Sequence, residues 1–523
     1  MKSLVLFMAL ALTSAGPEER HQGFFTFDEL IRLSARETLP ADLQSKLQRV
    51  LDTPIVHNDA RTMPRRPVVE GIGPTLRAAE WNIERGLQFD MIRLALSDST
   101  GFLEAAEKES GRIEGERRQV IESQLHRLQQ SDVVILNEVD LGMRRTGYRD
   151  VAKDLAVSLG MNYAYGVEFV EVDPLTLGIE KVRLTDAADT AELQAGFDVD
   201  RERYRGLHGN AILSRYPIAN VRIVRLPVCH DWFQSQLDGI SQLERGRRLT
   251  LEQVFSERIQ REVRRGGRMA LIADLVAPDF PTGKVTVVSA HLESQSQPSC
   301  RVTQMNALLT AIHDVSGPVI LAGDLNTTGA DGTATSLRHE LMKRAGDFQF
   351  WTKHAVQWLS PVGIPFMALS PVHYFRTFLD PTARSIPLVS RNLEARLFRD
   401  LEKFRFKDEG SFDFSGDEDR TLRGRQRTLA NSNQRSGKGF MPTFAMDKTY
   451  GGVVGRYKLD WFLVKPSIAG PPVGASGAFA PHFPNTMNEL NEAVPDRLAD
   501  HSPITVDLPL FSHRTARVTE GTR

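Results

Sequence analysis

A carboxylate and an amide follow a short apolar segment in the middle of the chain. Residues 319–322 are apolar and come after Gly317 and Pro318, a pattern that predicts a buried strand. Asp324 and Asn326 stand where this strand would end, and side chains two residues apart on extended backbone point to the same side. The carboxylate could bind a cation or accept a proton, and the amide could donate to an oxygen. Taken alone, the segment is equally typical of a strand followed by an Asx turn.

Polar side chains adjoin other predicted strands in the same way. They are Asn82, Glu138, His291, Asp460, Asp500 and His501, and a further pair, His208 and Asn210, precedes a strand. Ligands of α/β proteins bind at strand ends. Oxygen ligands and histidines without a nearby cysteine favour a divalent-metal hydrolytic site over a zinc–thiolate centre. Each residue by itself is more often a cap, a turn residue or a structural histidine.

Helical segments separate these strands. Apolar residues recur at helical spacing in 121–128, 149–159 and 302–314, and the alternation of strands and helices indicates an α/β protein. Residues 240–265 predict a charged helix rich in Arg and Glu. Such a face is usually solvated, and binding of a phosphate backbone is the alternative.

The composition gives the protein no large net charge that would attract a polyanion or a membrane surface. The 523 residues have a formal net charge of −1, with 25% charged residues. Binding to a nucleic acid or a membrane surface would therefore require local patches of charge. The length allows two to four domains or one elaborated domain.

The N-terminus predicts export. Lys2 precedes an apolar run that ends at Leu12, and small residues follow it, so residues 1–15 are interpreted as a signal peptide. The run is too short to cross a bilayer, and we expect no transmembrane segment and a secreted or periplasmic location. Cys229 and Cys300 are the two cysteines; in an oxidising compartment they could pair, or they could be separate buried thiols.

Segment boundaries follow from shifts in pattern. Residues 16–74 are expected to form an N-terminal helical extension, with two short helices in 24–52 and the first capped near Thr26 or Asp28. Residues 329–450 are weakly patterned and predict an insertion that forms a lid or rim. Residues 512–523 predict a disordered tail, and the sequence shows no internal repeat.

The polar motifs, in their order along the chain, resemble those of the endonuclease/exonuclease/phosphatase superfamily, in a secreted bacterial-type form. The matching motifs are Trp81-Asn82, Asn137-Glu138, Gly209-Asn210-Ala211-Ile212-Leu213-Ser214-Arg215, Ala290-His291-Leu292-Glu293, Gly323-Asp324-Leu325-Asn326, Leu459-Asp460-Trp461-Phe462 and Asp500-His501-Ser502-Pro503. The resemblance implies a deoxyribonuclease-I-like fold over residues 75–511, a four-layer sandwich of two packed mixed β-sheets flanked by α-helices.

The resemblance also implies a metal and substrate site. Glu138 is expected to be the main Mg²⁺ ligand, with Mn²⁺ as an alternative ion, and Asn82 and Asp500 are expected to be further ligands. Asn210 and His208 are expected to bind substrate; His208 stands where several nucleases have a tyrosine, and it either replaces that contact to phosphate or only packs. The acidic partner of His291 is not identifiable from the sequence. Glu84, Asp140 and Glu293 are expected to support the site or to lie on the surface.

Catalytic roles are implied for the remaining motif residues. His501, oriented by Asp460, would act on the nucleophilic water or on the scissile phosphate. Asp324 would position or deprotonate water, Asn326 would hold a phosphate oxygen, and His291 would protonate the leaving oxygen or stabilise developing charge. These side chains and a metal would meet the charge that attack on a phosphodiester adds to anionic oxygens.

Two hypotheses follow from the sequence. The first is a secreted, monomeric, Mg²⁺-dependent phosphoesterase that hydrolyses phosphodiester bonds in nucleic acid, with a sphingomyelinase-like activity on a phospholipid head group or an inositol-phosphate phosphatase activity as alternatives. The second is a non-catalytic protein on the same scaffold that captures an anionic polymer.

Overall fold

The computed structural model describes most of the region that contains the motifs. The described residues are 23–35, 38–69, 73–172, 199–237, 263–327, 392–413, 435–436, 439–450, 454–466 and 485–510.

Helices and strands alternate along these residues. The helices are α1 (Phe27–Leu33), α2 (Ala41–Asp52), α3 (Phe89–Ser97), α4 (Ser99–Ser110), α5 (Gly115–Gln129), α6 (Val151–Leu159), α7 (Trp232–Leu237), α8 (Pro298–Ile312), α9 (Ala395–Lys403) and α10 (Asn488–Asn491). The strands are β1 (Ile55–His57), β2 (Val68–Val69), β3 (Gly73–Arg85), β4 (Val133–Leu141), β5 (Asn162–Glu171), β6 (Leu207–Ser214), β7 (Ile218–Arg225), β8 (Arg264–Gly266), β9 (Met269–Val276), β10 (Lys284–Ala290), β11 (Val319–Asp324), β12 (Arg435–Ser436), β13 (Gly439–Phe440), β14 (Phe444–Tyr450), β15 (Val454–Tyr457), β16 (Asp460–Lys465), β17 (Asn485–Thr486) and β18 (Ile504–Pro509).

Two mixed β-sheets form the centre of the protein. The larger has the order β1-β5-β6-β4-β3-β18-β17, with β2 beside β3 and β8 beside β5, and the smaller has the order β16-β11-β10-β9-β7. The central pairs β3–β4 and β10–β11 are parallel, and the intervening helices connect their strands. The predicted α/β fold of two packed mixed sheets flanked by helices is confirmed.

The two sheets pack through alternate side chains of their strands. Leu76 and Ala78 of β3 and Ile135 of β4 are fully buried and share one hydrophobic cluster with Ile320 and Ala322 of β11. Because side chains alternate between the two faces of a strand, the intervening residues face the helices on the outer sides. The site residues therefore project from strands that are fixed on both faces.

Helices cover both outer faces of the sandwich. Side chains of α1–α6 and α10 pack in one cluster against the larger sheet, and side chains of α8 and α9 pack against the smaller sheet. Thr26 begins α1 with a capping box in which its hydroxyl accepts from the N–H of Glu29 and the Glu29 carboxylate accepts from the N–H of Thr26. The two predicted helices in 24–52 are therefore present, and the prediction of a cap near Thr26 is correct.

One glycine allows β10 and β11 to approach each other closely beside the site. Gly323 has φ +145°, and a Cβ atom there would lie 1.8 Å from the carbonyl oxygen of Ala290. No side chain fits at that separation. Gly323 therefore fixes the path of the backbone that leads into Asp324.

Several predicted element boundaries differ from those observed. β3 continues past Asn82, β4 continues past Glu138, and His208 and Asn210 lie within β6 instead of preceding it. Residues 264–266, the end of the predicted charged helix 240–265, form strand β8 because they pair with β5. The rest of that predicted helix falls almost entirely outside the described residues.

Other predictions fall wholly or largely outside the described residues. They are the signal peptide at 1–15, most of the insertion at 329–450 and the tail at 512–523. The proposed boundaries at 16–74 and 75–511 stay predictions. Within the described residues, none of the helices has the length and apolarity needed to cross a bilayer.

Candidate active site

Irregular backbone lies where Asn82 and Glu138 leave the central strands. The pairing of β3 with β4 shifts register between Asn82 and Arg85, and the pairing of β4 with β6 shifts between Leu136 and Val139. Glu138 has φ 52°, and Glu84 and Arg85 have φ 47° and 67°. Such angles are uncommon outside glycine, and bulges re-aim side chains next to active sites. Because of these bulges, the Glu138 side chain is directed to the site although strand β4 continues past it.

Four oxygen-bearing side chains meet at these bulges. The N–H of Asp500 donates to Oε2 of Glu84 at 3.1 Å, and the N–H of Glu84 donates to Oδ1 of Asn82 at 3.1 Å. Burial is the largest cause that raises the pKa of both carboxyls; the charge of Glu138 adds to the shift of Glu84, and the charges of Glu84 and Glu138 add to that of Asp500. Glu138 differs: burial opposes its ionisation, but Arg85 and His291 hold its pKa well below the usual range.

This group fits a hard divalent cation. Oδ1 of Asp500 is buried and has no hydrogen-bond partner among the described residues. Crowded carboxylates with an unpartnered oxygen are the arrangement that a cation bound by oxygen ligands would neutralise. Among the metal ligands expected from the resemblance, Asn82 and Asp500 are linked through Glu84, and the charge of Glu138 acts on Asp500.

His501 and Asp460 form a buried pair beside this group. Nδ1 of His501 lies 2.8 Å from Oδ2 of Asp460, a carboxylate that is fully buried at the start of β16. Burial disfavours the imidazolium, but Asp460, Asp500 and Asp324 raise the pKa of His501 well above its usual value. The pair leaves Nε2 of His501 directed to Oδ2 of Asp324, 3.7 Å away. His501 is therefore held as a cationic donor.

Asp324 is the point at which the other side chains converge. Its Oδ2 lies 3.4 Å from Nδ2 of Asn82, 3.2 Å from Nδ2 of Asn326 and 3.7 Å from Nε2 of His291. The backbone N–H of Asp324 donates to Oδ1 of Asn137 at 2.8 Å, which fixes the end of β11 against β4. Burial raises the pKa of the Asp324 carboxyl, and the nearby histidines oppose that shift. A group with this environment can hold a water and accept its proton.

The acidic partner of His291 is Glu168, which the sequence did not reveal. Oε2 of Glu168 lies 3.3 Å from Nδ1 of His291, and Nη1 of Arg268 lies 2.7 Å from the same nitrogen. Arg268 also donates to Oε2 of Glu168 at 3.1 Å. Burial opposes ionisation of Glu168, yet His291 and Arg268 lower its pKa to about 2. Glu168 lies within β5 without a distinguishing motif, and only the pairing of β5 with β6 could have indicated it.

Asn210 and His208 join the site through other side chains. Nδ2 of Asn210 donates to Glu168 at 3.2 Å, and Nδ1 of His208 lies 2.9 Å from Oδ1 of Asp140. Both residues are buried, as is Asp140. The sequence left Asp140 as a supporting or surface group, and the structure excludes the surface position.

Two clusters of described residues have the spacing of metal ligands: Asp140/Glu171/His208 and Asp324/Asp460/His501. In the first, Arg145 donates to Asp140 at 2.6 Å and to Glu171 at 2.7 Å, so its guanidinium already supplies the positive charge. In the second, Nδ1 of His501 already pairs with Asp460. The group around Asn82 and Glu138 is not one of these two clusters; the feature that supports it as a cation site is the buried, unpartnered Oδ1 of Asp500.

The two cysteines pair. Cys229 and Cys300 form a disulfide with their Cα atoms 5.9 Å apart. The bond joins the segment before α7 to the first turn of α8, and the open alternative of two separate thiols is thereby excluded.

Comparisons with known proteins agree with the motif order. The model of the Endonuclease/Exonuclease/phosphatase family matches residues 79–475. None of the curated proteins matches the chain.

Among solved structures, the chain is similar to an endonuclease/exonuclease/phosphatase from Beutenbergia cavernae, at 16% identity and a TM-score of 0.34, covering 83% of this chain and 71% of that one. It is also similar to a 3′-5′ exonuclease from Neisseria meningitidis, at 12% identity and a TM-score of 0.37, covering 83% of this chain and 99% of that one. The human Nocturnin catalytic domain has 12% identity and a TM-score of 0.31, covering 88% of this chain and 97% of that one.

The family match covers most of the chain and includes every motif except the final one, and members of this family are metal-dependent hydrolases. The chain belongs to the Endonuclease/Exonuclease/phosphatase family and is a metal-dependent hydrolase of phosphoester bonds.

Proposed function

We propose that this protein is an exported, monomeric, Mg²⁺-dependent phosphodiesterase. The observation that carries the proposal is the convergence of Nε2 of His291 and Nε2 of His501 on Oδ2 of Asp324, each at 3.7 Å, beside the oxygen ligands around Glu138. One anionic pocket thus offers a proton acceptor, two donors and a place for a cation, the groups that phosphodiester hydrolysis requires.

Asn82, Glu138 and Asp500 would hold the metal, with Glu84 as an additional ligand or as the orienting partner of Asp500. Mg²⁺ is favoured, with Mn²⁺ as the alternative, because this donor set consists of oxygens without sulfur. When bound, the cation would neutralise charge that develops on the phosphate oxygens. The unpartnered Oδ1 of Asp500 supports this assignment.

The protein's own groups account for proton transfer from the attacking water and for the hydrogen bonds to the phosphate. Asp324 would orient the attacking water and accept its proton, while Asn326 would hold a phosphate oxygen. His501, kept cationic by Asp460, would donate to the phosphate. His291 would donate a hydrogen bond to the leaving oxygen and stabilise the charge that develops there, the alcohol product taking its proton from water. Asn210 and His208 would complete the substrate side of the pocket.

Nucleic acid is the first substrate class to test. A sphingomyelinase-like activity, an inositol-phosphate phosphatase activity and capture of an anionic polymer without turnover are the alternatives.

Export is supported by the disulfide between Cys229 and Cys300, because disulfides persist in oxidising compartments. The apolar run near residue 10 agrees with this location. Amino-terminal sequencing of the secreted protein would test the cleavage site, and light scattering would test the monomer.

The central experiment compares substrates and metal binding in one protein. DNA, RNA, sphingomyelin, inositol phosphates and bis-nitrophenyl phosphate are offered with Mg²⁺, and we expect turnover of the diesters. Glu138→Gln should weaken Mg²⁺ binding measured by calorimetry at least about tenfold, because it removes the charge of the main ligand. Glu122→Gln, an exposed carboxylate on α5, is the control. Metal-loaded, folded protein that turns over none of the panel would overturn the proposal.

A further inference from the structure

A loop fixed by the disulfide is linked by hydrogen bonds to the residues that support His291. Cys229 precedes Trp232 and is bonded to Cys300 in α8. From α8, Nε2 of Gln304 donates to the carbonyl of Pro227 at 2.9 Å, and Oε1 of Gln304 accepts from the N–H of Glu293 at 2.9 Å. The loop and Glu293 are therefore fixed to the same helix.

Trp232 connects this loop to Glu293 and, through it, to Arg268 beside His291. Its indole N–H donates to Oε2 of Glu293 at 2.9 Å, and the guanidinium of Arg264 lies 3.7 Å from the centre of its ring. Glu293 is 2% exposed, and its Oε2 lies 3.7 Å from Nε of Arg268. The N–H of Leu226, in the same loop, donates to the carbonyl of Arg268 at 3.0 Å. The loop thus fixes both the backbone and the side chain of Arg268.

Arg268 in turn determines which nitrogen of His291 carries a proton. Its Nη1 lies 2.7 Å from Nδ1 of His291. A guanidinium has donors and no acceptor, and it lies closer to Nδ1 than the Glu168 carboxylate does at 3.3 Å, so Nδ1 accepts from Arg268 and the ring proton is on Nε2. Nε2 is the nitrogen that faces Asp324, at 3.7 Å. Removing Arg268 from this position would allow Nδ1 to donate to Glu168 and would leave Nε2 without its proton.

We infer that Trp232, Glu293 and the Cys229–Cys300 disulfide are positioning elements for catalysis: through Arg268 they hold His291 with its proton on Nε2, where it can donate a hydrogen bond to the leaving oxygen. The inference rests on the proposed function for its catalytic consequence. Which nitrogen of His291 carries the proton does not depend on the substrate and can be measured without it.

The test uses Trp232→Phe in the full-length protein, because phenylalanine keeps an aromatic ring for Arg264 and removes the N–H donor together with the second ring of the indole. We expect kcat to fall about tenfold, the scale of one hydrogen bond to a charged group. KM, Mg²⁺ affinity and the midpoint of thermal unfolding should stay at the wild-type values. The double variant Cys229→Ser/Cys300→Ser should lower kcat in the same way, and Ser299→Ala, an exposed neighbour of Cys300, should not.

A second readout does not depend on turnover. Nitrogen-15 spectra of histidine-labelled protein, with the His291 signal assigned by comparison with His291→Gln, should show the proton on Nε2 in wild type and a mixture in Trp232→Phe. An unchanged kcat together with an unchanged His291 signal would overturn the inference. A fall in kcat matched by equal losses of Mg²⁺ affinity and thermal stability would also overturn it, since the role would then be structural. If the wild type hydrolyses none of the panel, the proposed function fails, and the nitrogen-15 spectra alone decide this inference.

Discussion

Replacing Asp460 by asparagine tests the buried pair at the centre of the site. The carboxylate lies 2.8 Å from Nδ1 of His501 and is fully buried, so water cannot substitute for it. The asparagine side chain would keep the size of the aspartate but lose its charge, and its NH₂ group can donate to Nδ1 and stabilise the wrong tautomer of His501. Loss of a hydrogen bond to a charged group costs about 1.5–3 kcal/mol, or roughly 10- to 100-fold in rate.

The wrong tautomer adds to this loss, and a buried aspartate that orients a catalytic histidine contributes up to about 10⁴ in kcat in a hydrolase triad. We therefore expect Asp460→Asn to lower kcat by about 10²- to 10⁴-fold. Burial opposes protonation of His501, and Asp460 is the largest of the charges that raise its pKa. The alkaline limb of the rate profile should therefore move to lower pH in the variant.

Initial rates with bis-nitrophenyl phosphate over a range of pH provide the assay. Asp408→Asn is the matched control, since Asp408 pairs at 2.6 Å with Lys465 at the other end of β16. Mg²⁺ affinity should be unchanged in both variants, because neither residue is among the proposed ligands. A value of kcat for Asp460→Asn within about threefold of wild type would refute the assigned role of the pair, since a charge-assisted hydrogen bond contributes more than that.

Two further outcomes concern stability. Arg145 lies between the fully buried Asp140 and Glu171, so Arg145→Met should lower the free energy of unfolding by about 3–5 kcal/mol in urea titrations, because it removes the cation that pairs with both buried carboxylates. Arg118→Met, which removes a partly exposed pair, should cost less than about 1 kcal/mol, and an equal cost would contradict this reasoning. Burial raises the pKa of Asp132 from 3.8 to about 6 in the folded state. Protonation of Asp132 therefore stabilises the folded state below pH 3.8, and this contribution is lost as the pH rises through 6. The stability of Asp132→Asn relative to wild type should rise by roughly 3 kcal/mol across that window, and a difference that does not vary with pH would disprove the shift.

The sequence was sufficient for the family and the fold class because both depend on local patterns. Short apolar runs ending in Asn326 or His291 indicate strands with polar ends, and their order along the chain carries the resemblance. His291, His501 and Asp324 do meet, as the motif order implies. The boundaries of the strands were less accurate, because a bulge at Glu138 lets β4 continue where a simple strand would end.

Residues without a motif were identified only by the tertiary structure. Glu168 and Arg268 are far from His291 in sequence, and no spacing rule relates them to it. Arg268 meets His291 through the pairing of β9 with β10, and Glu168 meets it through the packing of one sheet on the other, neither of which a single sequence specifies. Glu84 is similar, since its position beside Asp500 follows from strand β18 pairing with β3.

The identities of the reacting groups were therefore determined by the sequence, since a carboxylate, an amide or an imidazole has its chemistry wherever it lies. Their partners, and hence their protonation, were decided by the fold. Burial and neighbouring charges shift Glu138 and Asp500, two carboxyls of one site, in opposite directions. Those shifts depend on distances through the interior, which exist only once the two sheets have packed together.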